Sequence, residues 1–534
     1  MHHSRVGALS KVCNTPVSIE SRPTKARVNP RQEGHPDRVP AAIDVVVIGG
    51  GPAGASAARL LATWGHEVVL LTRPGPQPAL GESLPPSCDK LFDRIGVRHA
   101  IETAGFLQAT GNTVRWGTGE ERVEQFGGGR YGYQVGRDVF DRTLLDQAAS
   151  AGAVVRGNAV VREVRRDRSG DGPAAVTYDE GDESHEMTAG WLLDCTGRAG
   201  LVARQGMRRA EPGGRTMALA GIWERAGSWA IEDQTHTLVE SYEDGWAWSV
   251  PVSLRRRFVT AMVDPSLTVV GNRQGLAATY HTELGRTTSL QRLVAGAQLI
   301  EPLFARDASS YAAVRTGERG LLLVGDAASF VDPLSSYGVK KALASAWLAA
   351  VVTHSCLSSP ALLEPALALY DSRERAMYDG MRTRLTVFAR EALTTHAAGK
   401  NFWLDRVDPD ESASADEPDL AVLRSDPDVL HALQELKQRS SINLRETPAL
   451  RRVQKAIVRG NVIMLEEHLA VPSFEWGIRF IRSVDLVTIV ALAREHDQVP
   501  DLFDAYNRSA PPAPLPDFLG ALSVLVGKGM LAFA

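Results

Sequence analysis

Apolar residues first fall into a regular pattern at Ile43. Val45-Val-Val-Ile48 and Val68-Val-Leu-Leu71 are unbroken apolar runs, the mark of strands buried on both faces. An alanine-rich stretch between them predicts a helix. Strand, glycine turn, helix and strand together fill about thirty residues, the length of a βαβ unit. Trp191–Cys195 and Leu321–Val324 read as further strands, each running into a glycine or acidic turn. From Met217 to about Val270 the pattern changes to alternation, at Thr237–Ser241, Trp246–Val250 and Phe258–Val263, which predicts an inserted antiparallel sheet over about 205–315. Beyond Ala342 the periodicity is mostly helical, broken by the acidic, proline-containing stretch Asp405–Pro418, which reads as a loop or lid.

Residues 1–42 carry scattered basic residues and prolines (Arg22, Pro23, Lys25, Arg27, Pro30, Arg31) with no hydrophobic period, and read as a disordered arm. A targeting peptide is the alternative, opposed by Glu20, Glu33 and Asp37. The expected division is therefore an arm over 1–42, an α/β domain with its interleaved sheet over 43–355, and a mainly helical region over 356–534.

Composition adds little: 534 residues, 44% hydrophobic, 23% charged and a net charge of -4 describe an ordinary globular chain. That charge gathers neither nucleic acid nor an anionic membrane. The apolar stretches Ala342–Val352 and Phe518–Ala534 are too short, or too interrupted by Lys528, to span a bilayer. Cys13, Cys88, Cys195 and Cys356 form no CxxC pair and have no histidine at ligand spacing, so no metal site or disulfide framework is expected. A cytoplasmic location follows as the default.

Gly49-Gly-Gly51-Pro52-Ala53-Gly54 fits GxGxxG between a strand and a helix. Gly49 permits the tight turn, Gly51 lets backbone approach a pyrophosphate, and Gly54 lets helix pack on strand. The helix N-terminus, with Pro52 and Ala53, then faces the phosphates. The acidic residue that ordinarily receives the adenosine ribose is missing; Thr72-Arg73 stand in its place, with Thr72 offering a weaker hydroxyl contact.

Two further segments narrow the dinucleotide. Leu321-Leu-Leu-Val324-Gly325-Asp326 resembles the second FAD fingerprint of flavoprotein hydroxylases, in which Asp326 meets the ribityl chain. Leu192-Leu-Asp194-Cys-Thr-Gly197-Arg198 resembles the intervening Asp-Gly motif. The three in this order resemble the class A flavoprotein monooxygenases and, more closely, the flavin-dependent halogenases. The closer resemblance rests on four stretches: Gly81-Glu82-Ser83-Leu84-Pro85-Pro86, similar to the segment that covers the flavin; Gly245-Trp246-Ala247-Trp248-Ser249-Val250-Pro251, similar to WxWxIP; Asp332-Pro333-Leu334-Ser335-Ser336-Tyr337-Gly338-Val339, similar to the halide-holding loop; and Gln134-Val-Gly-Arg137-Asp-Val-Phe140-Asp141, which resembles the helix start that packs near the cofactor. The resemblance implies a doubly wound, glutathione-reductase-like Rossmann domain that binds FAD, an inserted antiparallel substrate sheet and a helical C-terminal region. It implies FAD contacts at Gly49, Gly51, Pro52, Ala53, Gly54, Thr72, Arg73, Ser83, Arg137, Asp194, Gly325, Asp326, Pro333, Ser336, Tyr337 and Gly338, and catalytic roles for Glu82, Trp246, Trp248 and Ser336. Trp246 and Trp248 share one face of their strand.

Halogenases of this kind carry a lysine two residues before the glycine of K-x-G-x-x-x-x-W-G. The matching stretch here is Ala109-Thr110-Gly111-Asn-Thr-Val-Arg-Trp116-Gly117, with alanine at the lysine position. A methyl group neither holds nor activates a halogenating species, so the expectation is an FAD-dependent monooxygenase. A flavin C4a-hydroperoxide would hydroxylate a phenolic or indole ring, free or within a peptide or protein, similar to the branch that hydroxylates peptidyl tryptophan. Halogenation is the alternative, with Lys340 or Lys341 as stand-in lysines; otherwise both read as solvated helix charges. An alkene reductase of the geranylgeranyl reductase type and a non-catalytic FAD-binding protein are the remaining readings. Gly127-Gly-Gly129 lacks a preceding strand, so NADH or NADPH must act transiently, or a partner flavin reductase must supply electrons, before dioxygen reacts. His396 reads as a substrate-facing group or a satisfied histidine.

Overall fold

The computed structural model describes residues 43–74, 81–117, 119–167, 172–210, 214–268, 273–335, 337–396, 400–407, 423 and 425–534. The arm expected over 1–42, most of the stretch Asp405–Pro418, and Ser336 lie outside the described residues.

Ile43–Ile48 lies between Val68–Leu71 and Glu183–Asp194, parallel to both, and Leu321–Leu323 extends the sheet beside Glu183–Asp194. Val154–Arg156 closes the other side, also parallel. Val45, Val46, Val47, Leu192, Leu193, Leu321, Leu322 and Leu323 are all fully buried, because helices and loops cover both faces. Pro52–Thr63 and the apolar helix Gly338–Ser358 pack on one face with Arg137–Ser150, in a continuous core. The antiparallel strands Ala174–Glu180 and Ala159–Arg165 hang from the long strand Glu183–Asp194.

The second sheet has seven strands, in the order Gln298–Asp307, Met217–Glu224, Arg256–Val263, Gly245–Pro251, Thr237–Tyr242, Gly111–Arg115 and Glu121–Gln125. Its middle matches the alternation in the sequence closely. Its last two strands come from outside the expected 205–315 insertion: Gly111–Arg115 joins Thr237–Tyr242 in parallel, a pairing across more than a hundred residues that leaves no local pattern. A small sheet of Gly81–Leu84, Gly132–Gly136 and Leu107–Ala109 sits between the two halves of the sequence motif set.

The C-terminal region begins with the 33-residue helix Leu363–Thr395 and ends with Val499–Ser509 and Leu515–Gly527. It also holds a three-stranded antiparallel sheet, Arg451–Arg459, Val462–Val471 and Phe474–Ile478, within the region expected to be mainly helical. Among the described residues no helix is long and apolar enough to cross a membrane. Cys88, Cys195 and Cys356 are buried and free.

Candidate functional site

The glycine turn behaves as its spacing requires. Gly49 has φ +110°, and a Cβ there would stand 2.3 Å from the Cys195 carbonyl oxygen. A Cβ on Gly54 would stand 1.9 Å from the Gly49 oxygen, so only glycine lets the helix seat on the strand. Gly51 is the N-cap, with no side-chain cap, and Pro52 follows at the first helical position. The N–H groups of this helix start are thus left for a phosphate. Thr72 closes its strand against Gly50: a Cβ on Gly50 would lie 2.6 Å from Thr72 Oγ1. Arg73 is exposed beyond it.

Arg137 Nη2 comes within 3.8 Å of the place a Gly51 Cβ would take. Its guanidinium grips Asp141 through two bonds of 2.8 and 2.9 Å and reaches Glu82 Oε1 at 3.5 Å. Glu82 projects from Gly81–Leu84, and Ser83 lies opposite Gln134 on the neighbouring strand. Removal from water holds the Glu82 carboxyl above the ordinary range; Arg137 opposes this, and Asp326 and Asp141 add to it. Glu82, Arg137, Asp141 and Asp326 therefore form one electrostatic group at the mouth of the glycine turn.

Gly325 has φ +64° and packs against Ala342 and Ala53, bringing the turn that bears Asp326 onto the two helices. Asp326 is 28% exposed, free on one side to meet a ligand. Asp194 differs from its expected role. It is fully buried, and its carboxylate accepts from Thr196 N and Oγ1 and from Val202 N, at 3.1, 2.6 and 2.8 Å. It shapes the turn carrying Gly197 and has no free face for a cofactor. Pro333 opens a short helical turn, and Tyr337 and Gly338 begin the helix Gly338–Ser358. The Tyr337 hydroxyl accepts from Arg384 Nη1 at 2.7 Å, and Lys340 lies 4.6 Å over its ring.

Trp246 and Trp248 stack at 4.6 Å with 23° between their planes, on one face of their strand. Trp246 meets Trp116 edge-on, and Trp116 in turn meets Phe388 and Trp403. Trp116 and Trp403 spend their N–H groups on the Phe388 and Tyr242 carbonyls, at 3.0 Å each. The Trp246 N–H makes no hydrogen bond of normal length, although it is close enough to favour an ionised Asp332. Asp332 is 1% exposed and pairs at 3.3 Å with the equally buried Arg406, which follows the short helix Lys400–Leu404.

His396 is a satisfied histidine: its Nε2 lies 3.1 Å from Ser241 Oγ, and burial pushes its pKa down. Ala109 is 1% exposed on its strand, opposite Gly132. Beside it Thr110 Oγ1 donates to Asp233 Oδ2 at 2.7 Å and lies 3.0 Å from Nε2 of the fully buried His236. The reading of Lys341 as a solvated helix charge is corrected, since its side chain is 2% exposed and bound to the FAD turn. Sequence reasoning placed Asp141 in the helix start near the cofactor without a role, and missed Arg406 and the His236 group. Only Phe402-Trp403, an aromatic pair in a helical run, carried a readable signal.

Among known families, the FAD binding domain model matches residues 42–354. A tryptophan 2-halogenase of Chondromyces crocatus is 32% identical over 342 residues, which cover 62% of this chain and 65% of that protein. The chain thus spans just under two thirds of that relative. Two solved structures share the fold. The flavin-dependent halogenase CmlS has a TM-score of 0.72 at 23% identity, covering 92% of this chain and 96% of its own. The peptidyl tryptophan dihydroxylase QhpG, essential for tryptophylquinone cofactor biogenesis, has a TM-score of 0.63 at 22% identity, covering 91% and 99%.

Proposed function

Because the chain belongs to the FAD binding domain family, we propose that it is an FAD-dependent oxidoreductase that modifies an electron-rich aromatic ring of tryptophan type, by halogenation. The observation that carries this is the 32% identity to a tryptophan 2-halogenase. Hydroxylation of the same kind of ring, expected from the sequence, is the second reading. The buried methyl of Ala109 favours it, at the position where the halogenase motif calls for lysine. Lys341 is engaged on the Gly325 turn, and Lys340 lies over the Tyr337 ring.

FAD, reduced by NADH, NADPH or a partner flavin reductase, supplies the oxygen-activating chemistry in both readings. The residues present fit it. The helix start after Gly51 receives the pyrophosphate, Arg137 adds the positive charge, and Asp141 holds that guanidinium in place. Asp326, part-exposed, would hold the ribityl hydroxyls. Glu82 keeps a proton more readily than a free carboxylate and can hold it at the cofactor's edge. Trp246, Trp248, Trp116 and Phe388 form an apolar wall that keeps water from the reacting ring.

The test is product mass from FAD-reconstituted protein with NADH, NADPH or an added flavin reductase, with and without chloride or bromide. Tryptophan, tryptophan-containing peptides and phenols serve as substrates. A halide-dependent halogenated product establishes the first reading. One added oxygen atom, indifferent to halide, establishes the second and overturns the first. Oxygen uptake with no product from any substrate overturns both.

A further inference from the structure

A buried lysine behind the Gly325 turn, and a buried carboxyl near it, are left unused by either reaction. Lys341 lies in the first turn of Gly338–Ser358, where the helix dipole disfavours a cation and burial removes its water. Its Nζ donates to the Gly325 oxygen at 3.2 Å and to the Ser329 oxygen, and stands 3.4 Å from Asp326 Oδ1. A second layer completes the grip. Ser345 Oγ accepts from Gly325 N at 2.8 Å, and the Tyr370 hydroxyl donates to the Leu323 oxygen at 2.8 Å. The turn is therefore held from behind at both ends by two helices while Asp326 stays open in front.

Glu374, from Leu363–Thr395, is the counter-charge. It is 1% exposed, and neither carboxylate oxygen makes a hydrogen bond of normal geometry, although the Ser345 hydroxyl is close enough to favour its ionised form. A buried carboxyl left in that state needs a reason. Among the described residues Lys341 is the cation that acts on it, while Asp371 on its own helix repels it.

We propose that Lys341 is a buried positioning residue that holds the Gly325–Phe330 turn in the shape that receives FAD, and that Glu374 tunes it through the Lys341 charge. This goes beyond the reaction proposed above and is indifferent to whether the product carries halogen or oxygen.

Burial pushes the Glu374 carboxyl up to about 7. While it is neutral, the Lys341 charge is directed wholly at Asp326 and the two carbonyls; once ionised, Glu374 competes for that charge. The groups facing the pair are Lys341 and Ser345 on one helix, Tyr370 and Asp371 on the other, and Asp326 on the turn. FAD affinity should accordingly fall as pH rises through the Glu374 range.

The experiment titrates apoprotein with FAD, read by quenching of flavin fluorescence and by the visible circular dichroism of bound flavin, across neutral pH. Four variants join the wild type: Lys341→Met, Lys341→Arg, Glu374→Gln and the double Lys341→Met/Glu374→Gln. Lys341→Met should weaken binding by about tenfold or more, the scale of a lost charged hydrogen bond, with an altered dichroism band that Lys341→Arg partly restores. Glu374→Gln should bind FAD at least as well as wild type and lose the pH dependence. The double variant should match Lys341→Met. Should Lys341→Met fail to fold, Lys341→Arg and Glu374→Gln decide. Wild-type affinity and dichroism in Lys341→Met, or a wild-type pH profile in Glu374→Gln, would overturn the proposal.

Discussion

Replacing Arg406 by methionine should destabilise the protein far more than losing an exposed arginine would. The Arg406 and Asp332 side chains are 3% and 1% exposed and lie 3.3 Å apart. The guanidinium also donates to the Phe402 oxygen at 2.6 Å and to Thr216 Oγ1, and sits 3.6 Å over the Phe402 ring. Methionine keeps the packing on Phe402 and removes the charge. Asp332 then keeps one protein hydrogen bond, from Leu334 N at 3.2 Å, for a carboxylate whose burial already pushes its pKa up. Breaking one side of such a pair costs about 3–5 kcal/mol, whereas removing both charges costs much less. Guanidinium chloride unfolding of Arg406→Met, Asp332→Asn and the double variant measures this. Arg406→Met should lose most, the double should recover part of that loss, and the Arg406→Met deficit should shrink as pH falls and Asp332 protonates. A loss under about 1 kcal/mol in Arg406→Met, the range of an exposed pair, or a double variant as unstable as the sum of the singles, refutes the reasoning.

Arg137→Met should weaken FAD binding by about 10- to 100-fold, the value of one charged hydrogen bond to phosphate, measured by titration of apoprotein; unchanged affinity would place the pyrophosphate elsewhere. Gly54→Ala should yield protein without FAD or no soluble protein, since its Cβ would meet the Gly49 oxygen at 1.9 Å, and a flavin-loaded variant would contradict the seating described. Glu240→Ala should cost about 1–2 kcal/mol in chemical unfolding, as a lost helix cap does, because that carboxylate receives the N–H groups of Thr288, Ser289 and Leu290 at 2.7, 2.9 and 2.9 Å. Burial lowers the pKa of His66, His236, His354, His396 and His468. Each such group contributes stability that is complete above its unfolded value of about 6.5 and is lost as pH falls through its lower folded value. Melting temperature should therefore drop on acidification below about pH 6.5, and His354→Asn, which removes one partner of the 2.7 Å His66–His354 contact, should flatten part of that slope.

Local physics made the cofactor half of the molecule readable. The GxGxxG turn, the strands on either side and the turn at Asp326 are short, consecutive and demanding of particular residues, so their spacing carries the geometry. The alternating strands around Trp246 and Trp248 were legible for the same reason. Pairing between distant segments was not: nothing in Gly111–Arg115 states that it will lie beside Thr237–Tyr242. The hairpin Arg451–Arg459 and Val462–Val471 did carry a signal, β-branched residues on both sides of Gly460-Asn461, masked by the charged residues between them. Burial of charge was the least legible property. Asp194, Lys341, Glu374 and Arg406 look like surface residues in a sequence, and their roles depend on which partner the fold brings within a few ångströms.

The same distinction separates cofactor from reaction. The proposed FAD site is backbone geometry and fixed charge, at Gly49, Gly54, Arg137 and Asp326. What selects halogen or oxygen transfer lies in a few side chains around the aromatic wall, where one substitution changes the chemistry without disturbing the scaffold. Ala109, buried on a short strand opposite Gly132, stands where the halogenase motif calls for lysine. Similarity along the chain therefore weighs on the side of halogenation, and the one residue weighs on the side of hydroxylation. They are measurements of different things. Similarity along the chain averages over hundreds of positions, while Ala109 is a single position in a motif expected to carry the reactive lysine. A halide-dependent product would mean that another group does the work of the missing lysine, because alanine has neither charge nor proton to lend.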